Sequence, residues 1–210
     1  MKFIVGTKLN MTQRFDDKGV VIPVTAIAIA PNTIARIKTP ESDGYHAVQV
    51  GYGEQKESRI AAAQKGAWGK ARYRGTKEFR LPAQAGAETG VEVEAGQEVA
   101  LDSFAAGDAV VVTATSKAKG FQGVVKRHGF HGGPRSHGQK HSEREPGSIG
   151  GGPGRAGGRV TKGMRMAGRT GGDTVTVKGL RVVDVDTDAR IIYISGAVPG
   201  RRGTLVAIKG

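Results

Sequence analysis

Residues 117–169, KAKGFQGVVKRHGFHGGPRSHGQKHSEREPGSIGGGPGRAGGRVTKGMRMAGR, do not carry enough apolar surface to fold on a core of their own. From 126 onward the large apolar residues are Phe130, Ile149, Val160, Met164 and Met166, each isolated among glycines and bases. Ordering the backbone costs roughly 1–2 kcal/mol per residue, and so sparse an apolar set does not offset that cost. Charge opposes compaction further. Twelve Lys and Arg stand against two acids, Glu143 and Glu145, an excess of ten. The other residues hold twenty bases and seventeen acids, so nearly all of the chain's net charge of +13 lies in this quarter. Such a concentration points to a polyanion as partner.

The rest of the chain is long enough to fold. Of 210 residues, about 155 remain outside the basic stretch, sufficient for a sizeable buried core. High glycine (34 residues) and low aromatic content (5%) suit a turn-rich β domain with a glycine-rich appendage. There are no cysteines, which excludes disulfides and thiolate metal sites. The opening MKFIVGTKLN lacks the apolar run of a signal peptide, and the apolar stretch 20–30 is too short to span a membrane and is interrupted by Pro23. A cytoplasmic location is expected.

The first fifty residues read as β. Segments 20–30 and 33–38 are rich in Val, Ile and Thr, with Pro31 and Asn32 as a turn between them. Segment 45–51 alternates after the turn signal Ser42-Asp43-Gly44. Ile60, an alanine run and Trp68 predict a short helix within 58–70, weakened by Gly66 and Gly69. Strand returns at 77–81, and 83–107 offers one exposed strand around 90–94. Segment 108–115 (DAVVVTAT) is a strong strand, and β pattern resumes after the basic stretch at 173–178, 180–186, 190–195 and 204–209. Short strands separated by turns predict a mainly β fold, a closed barrel or a sandwich. It carries a short helical insert and a long irregular glycine- and arginine-rich extension. The expected division is 1–116 for the first part of the β domain, with a less regular insert near 54–107. The extension then takes 117–170, and 171–210 supplies the closing strands.

Chemistry concentrates in the extension. Glycine takes 15 of the 54 positions from 117 to 170, which lets the main chain approach another surface closely. Arginine outnumbers lysine seven to five there, and its planar fork clamps phosphate or stacks on a base. The candidate phosphate contacts are Lys117, Lys119, Lys126, Arg127, Arg135, Lys140, Arg144, Arg155, Arg159, Lys162, Arg165 and Arg169. His128, His131, His137 and His141 suit hydrogen bonds to phosphate or 2′-hydroxyl groups, or stacking on bases. A solvated linker has little use for these histidines or for Phe121 and Phe130. Zinc is disfavoured because cysteine is absent and no regular helix is evident to hold the imidazoles. The glycine run 150–154 is not a phosphate-binding loop of the NTPase kind, since Lys162 follows Thr161 instead of preceding it. Glu143 and Glu145 flank Arg144 and lack an apolar pocket, so local charge pairing fits them better than acid–base catalysis. A nucleic-acid hydrolase or transferase would need a catalytic constellation that the segment does not offer, and a transient RNA chaperone has the same composition as a resident protein.

Longer motifs narrow the field. The run 119–130 (KGFQGVVKRHGF) resembles the signature of large-subunit ribosomal protein three in its bacterial form. So do Ser136-His137-Gly138, 146–150 (PGSIG), 162–168 (KGMRMAG), the opening 6–15 (GTKLNMTQRF), 22–25 (IPVT), Val175-Thr176-Val177 and 196–200 (GAVPG). The resemblance covers essentially the whole chain and is weakest over 54–107. It implies a small closed β-barrel of the type shared with other translation proteins. It implies an extension threading into the large-subunit rRNA toward the peptidyl transferase centre, a role early in assembly, and no catalysis. Through the signature motif it adds Phe121 and Gln122 to the rRNA contacts. The implied partners are the large-subunit rRNA and neighbouring large-subunit proteins, with no membrane and no small-molecule substrate. No cofactor is expected beyond Mg2+ carried with the rRNA. Three departures stand out. Asn10 replaces the family's usual glycine and is expected to keep a positive-φ turn. Gly151 stands where many bacterial members carry a glutamine, methylated in some. Segment 151–158 is richer in glycine than the family pattern.

Overall fold

The computed structural model describes residues 2–81, 94–150 and 159–210. The strand expected around 90–94 lies outside them except for Glu94, as does the glycine-rich stretch 151–158 with Arg155 inside it. The chain divides into two compact units: Met1–Thr115 with Thr174–Gly210, and Ser116–Asp173.

The structure is mainly β. Its strands are β1 (Phe3–Phe15), β2 (Val21–Ala28), β3 (Asn32–Lys38), β4 (Ala47–Glu54), β5 (Tyr73–Arg80), β6 (Ala109–Thr115), β7 (Phe121–Gln122), β8 (Gly168–Arg169), β9 (Thr174–Asp186), β10 (Ile191–Ser195) and β11 (Leu205–Lys209). In unit 1, β1, β11, β6, β9, β10 and β2 pair antiparallel in that order, and β2 pairs back onto β1. Each of the six has two hydrogen-bonded neighbours, so their pairing closes into a ring. Three further strands, β3, β4 and β5, form a separate antiparallel sheet. Among the described residues no helix is long and apolar enough to cross a membrane.

Period-two alternation builds two cores from the same strands. Ile4 of β1, together with Val206 and Ile208 of β11, joins Ile27, Val110, Val112, Val182, Ile192 and Ile194 in the ring's cluster. Their neighbours Phe3, Val5 and Ala207 face the other way and join Ile34, Val48, Val50 and Phe79 of the three-stranded sheet. Phe3 and Phe79 stack at 5.1 Å. β1 is therefore apolar on both faces at its start, and it turns polar as it runs past the ring.

Several expectations are corrected here. Asn32 is not a turn residue but the buried first residue of β3. Its side-chain oxygen accepts the Val5 N–H (3.0 Å), and its amide donates to the carbonyls of Val5 (2.9 Å) and Ala30 (2.7 Å). One side chain thus satisfies both backbone groups of a β1 residue. Segments 173–178 and 180–186 are one strand, β9. Gly179, at φ +75°, makes a bulge where the register against β6 slips between Val110 and Val112, so the strand bends without ending. Asn10 takes no left-handed φ; it lies inside β1, where the register against β2 slips between Lys8 and Met11. The turn signal at 42–44 closes a four-residue helix, α1 (Pro40–Asp43), through Gly44. The helix read over 58–70 narrows to α2 (Ala62–Trp68), preceded by a 3-10 turn at Glu57–Arg59.

Two charge pairs brace unit 1. Lys38 Nζ lies 2.6 Å from Glu78 Oε2 and 2.9 Å from the Tyr45 hydroxyl. The Glu78 carboxylate, then Tyr45, pushes the Lys38 ammonium up to about 12, and Lys38 in turn holds Glu78 below the usual carboxylate range. Asp108 accepts the Ala105 N–H (2.9 Å) and the Lys2 ammonium (2.6 Å), which lower its carboxyl in that order.

Candidate nucleic-acid interface

Unit 2 begins as a two-stranded neck. Ser116 N–H donates to Asp173 C=O (2.9 Å), Lys119 N–H to Thr170 C=O (2.8 Å), and Thr170 N–H to Gly120 C=O (2.9 Å). β7 and β8 continue this ladder through Phe121 opposite Arg169 and Gln122 opposite Gly168. Gln122 also donates to the Lys119 carbonyl (2.7 Å).

A short helix, α3 (Val124–His128), follows and is closed by Gly129 in the left-handed region. The segment is therefore less irregular than its composition implied. Val124, 2% exposed, is the one buried residue of unit 2 among those described. The basic last turn of α3 reaches across to the returning chain: Arg127 Nη1 (2.9 Å) and His128 Nε2 (3.0 Å) both donate to the Met166 carbonyl. His128 and Phe130 lie 6.0 Å apart, ring to ring. Beyond them the chain loops back on itself. Gly133 N–H donates to Glu143 C=O (2.9 Å), Arg135 Nε pairs with Glu143 Oε1 (2.6 Å), and Gln139 bonds Ser142. Gly132, at φ +78°, sits where a Cβ would strike the Glu143 carbonyl. Glu143 thus neutralises Arg135, eight residues away, rather than the adjacent Arg144. A cleft of about 520 Å³ opens within this loop, lined in part by His128, His131 and Arg165.

Seventeen of the eighteen candidate residues are described. Lys117, Lys119, Phe121, Lys126, Arg127, His131, Arg135, His137, Lys140, His141, Arg144, Arg159, Lys162, Arg165 and Arg169 are exposed, while Gln122 and His128 are half-buried. Phe121 leaves 73% of its surface to solvent. The structure brings Arg127 and His128 together at Met166, and ties Arg135 to Glu143. The remaining bases of the set have no carboxylate partner among the described residues. Among those residues no three His, Asp or Glu converge as metal ligands would. What the arrangement can do chemically is bind anions: it sets cations in quantity beside main-chain glycines.

Sequence reasoning missed two things. The carbonyl anchor at Met166 has no signal in the sequence. A second run of exposed bases, at 55–77 in unit 1, was hidden inside the mild remainder of +3 and shows once charge is counted locally.

Known proteins share this pattern from end to end. The profile of the family described as ribosomal protein L3 matches residues 85–192, which span all of unit 2. The chain is 46% identical over 209 residues to the large ribosomal subunit protein uL3 of Alcanivorax borkumensis, covering 98% of this chain and 95% of that protein. The chain belongs to the ribosomal protein L3 family. It is also 44% identical over 207 residues to uL3 of Leifsonia xyli subsp. xyli (98% and 92% covered), and 45% identical over 209 residues to uL3 of Bacillus thuringiensis (100% and 96% covered). The ribosomal protein L3 family is a structural component of the ribosome and not an enzyme family.

Proposed function

We propose that this chain, a structural constituent of the large ribosomal subunit by its family, binds large-subunit rRNA directly through unit 2. In this reading it acts early in subunit assembly and supports the peptidyl transferase centre through the extension. The six-strand ring is the small barrel shared with other translation proteins, and it serves as the mount. Large-subunit rRNA and neighbouring large-subunit proteins are the partners, in the cytoplasm, with Mg2+ only as a companion of the RNA.

One observation carries this reading: among its described residues, unit 2 exposes fifteen candidate contacts while burying a single side chain, Val124. Cations held open in this way suit a folded RNA, where phosphate placement and shape count for more than base edges. Arginine and lysine neutralise phosphates, glycine lets the main chain come close, and histidine and Phe121 supply local hydrogen bonds and stacking.

Binding of the full-length chain to a large-subunit rRNA transcript should weaken by orders of magnitude over a modest rise in salt, because each neutralised phosphate releases counterions. The chain should also stay with large subunits through a high-salt wash. A flat salt response would overturn direct phosphate binding, and loss in the wash would make the chain a transient factor.

A further inference from the structure

The hairpin of β1 and β2 carries an apolar face that nothing in unit 1 covers. Four of the ten exposed large hydrophobic residues among those described fall between positions 11 and 21. Phe15 is 66% exposed, Val20 59%, and Met11 and Val21 49% each. The other six are spread from Ile37 to Val175. Single exposed apolar side chains are ordinary, whereas a contiguous group marks a contact surface.

Strand register puts the group on one face. Phe15 lies directly opposite Val21, Gln13 opposite Pro23, and Met11 opposite Thr25. Side chains alternate along a strand, so Met11, Phe15, Val21 and Pro23 point the same way. Thr25 and Ile27 continue that face, opposite Ile194 and Ile192 of β10, and Ile27, Ile192 and Ile194 belong to the ring's core. The apolar lining of the ring thus runs on past the place where the ring stops. Pairing of β1 with β11 ends at Thr7 and Lys8, and pairing of β2 with β10 ends near Val24 and Pro23. Beyond these points the ladder has two strands, which in water are marginal without something packed on them.

The opposite face is already engaged. Arg14 lies 3.6 Å from Asp184, with its guanidinium 4.1 Å over the Tyr193 ring. The tip is also set: Asp16 N–H donates to the Val20 carbonyl (2.9 Å), and Gly19 N–H to the Asp16 carbonyl (2.8 Å). Asp16 and Asp17 are exposed there and have no basic partner among the described residues. An apolar centre beside a charged rim is the anatomy of a protein interface. Two acids at the rim repel phosphate and attract a basic polypeptide.

We propose that this hairpin face docks a neighbouring large-subunit protein, through a segment that sets apolar side chains on Phe15 and Val21 and Lys or Arg against Asp16 and Asp17. The docking rests on the reading above only in placing the chain in the large subunit; it does not use the cations of unit 2. Phe15 is the anchor, as the aromatic at the centre of the face.

The test uses large subunits reconstituted from rRNA, the other large-subunit proteins and the full-length chain with Phe15 replaced by the photocrosslinker p-benzoylphenylalanine. Illumination should join position 15 to another protein of the particle, and the same replacement at Thr12, on the engaged face, should join that protein severalfold less. Val21 replaced in the same way serves if the first variant does not fold. The cross-linked protein, purified, should bind the unaltered chain about tenfold or more tighter than the double variant Phe15→Ser, Val21→Thr. The double variant should keep the urea midpoint and the rRNA salt slope of the unaltered chain. A cross-link to rRNA, to a second copy or within the chain itself, or none at all, would overturn the docking while the chain still sits in the particle. Equal affinity of the double variant, or a loss matched by a lower urea midpoint, would overturn it as well. A chain that never enters the particle would remove the large-subunit reading and the docking together.

Discussion

The two units are ordered by opposite means. Unit 1 closes six strands around Ile4, Ile27, Ile192, Ile194 and Ile208, all fully buried, and uses the outer faces of β1 and β11 again for a second core. Unit 2 has Val124, a two-stranded neck, a Met166 carbonyl shared by Arg127 and His128, and an Arg135–Glu143 pair. Burial of apolar surface is worth about 25 cal/mol per Å², whereas exposed ion pairs contribute about 0–1 kcal/mol each. The contrast shows that a segment can take a defined shape with almost no core of its own.

The largest effect that could break this comparison lies in the ring. Ile192→Ala should cost about 2–5 kcal/mol in urea unfolding, as large-to-small changes in packed cores do. Val124→Ala should leave that transition in place and act only within unit 2. A comparable global loss from Val124→Ala would mean that the two units share one folding transition. A smaller effect concerns the loop at Glu143. Gly132→Ala adds a Cβ against the Glu143 carbonyl at a left-handed φ, so cleavage of the free chain within 126–165 should quicken severalfold with the urea transition unchanged. Equal protease resistance in both proteins would count against a loop held by that contact.

The smallest effects are titrations at the surface of unit 1. Glu78 and Asp108 have lowered folded-state pKa values, so their contribution is present above the ordinary carboxylate range and is lost as pH falls through it. Lys38 is raised to about 12, so its contribution is full below its ordinary 10.5 and disappears as pH climbs through about 12. Unfolding followed against pH should show a shallow decline at each end. Asp108→Asn should flatten the acid limb and Lys38→Met the alkaline one. An acid limb unchanged by Asp108→Asn would remove Asp108 from this role.

Much of the fold was legible because β-branched runs were bounded by turn residues. Segments 108–115, 190–195 and 204–209 correspond to β6, β10 and β11 to within a residue. β1 was not delimited because Lys8, Asn10, Thr12, Gln13 and Arg14 dilute its pattern once its pairing with β11 ends and only β2 lies beside it. β9 read as two strands because Gly179 looks like a break and acts as a bulge. Asn32 looked like a turn because its burial depends on Val5, twenty-seven residues away. The charge of the candidate interface is a matter of composition and needs no structure to see. What holds it in shape does: neither the Met166 anchor nor the pairing of Arg135 with Glu143 follows from local sequence.

The pairing of β1 with β11 sets an order of events during synthesis. Phe3 lies opposite Lys209, and the Gly210 N–H reaches back to the Lys2 carbonyl. Contacts of such sequence separation form late and slowly. The ribosome makes chains from the N-terminus, so the whole of Ser116–Asp173 is synthesised before β11 exists. A nascent chain therefore holds its basic segment while the ring is still open, and β11 closes the ring only afterwards.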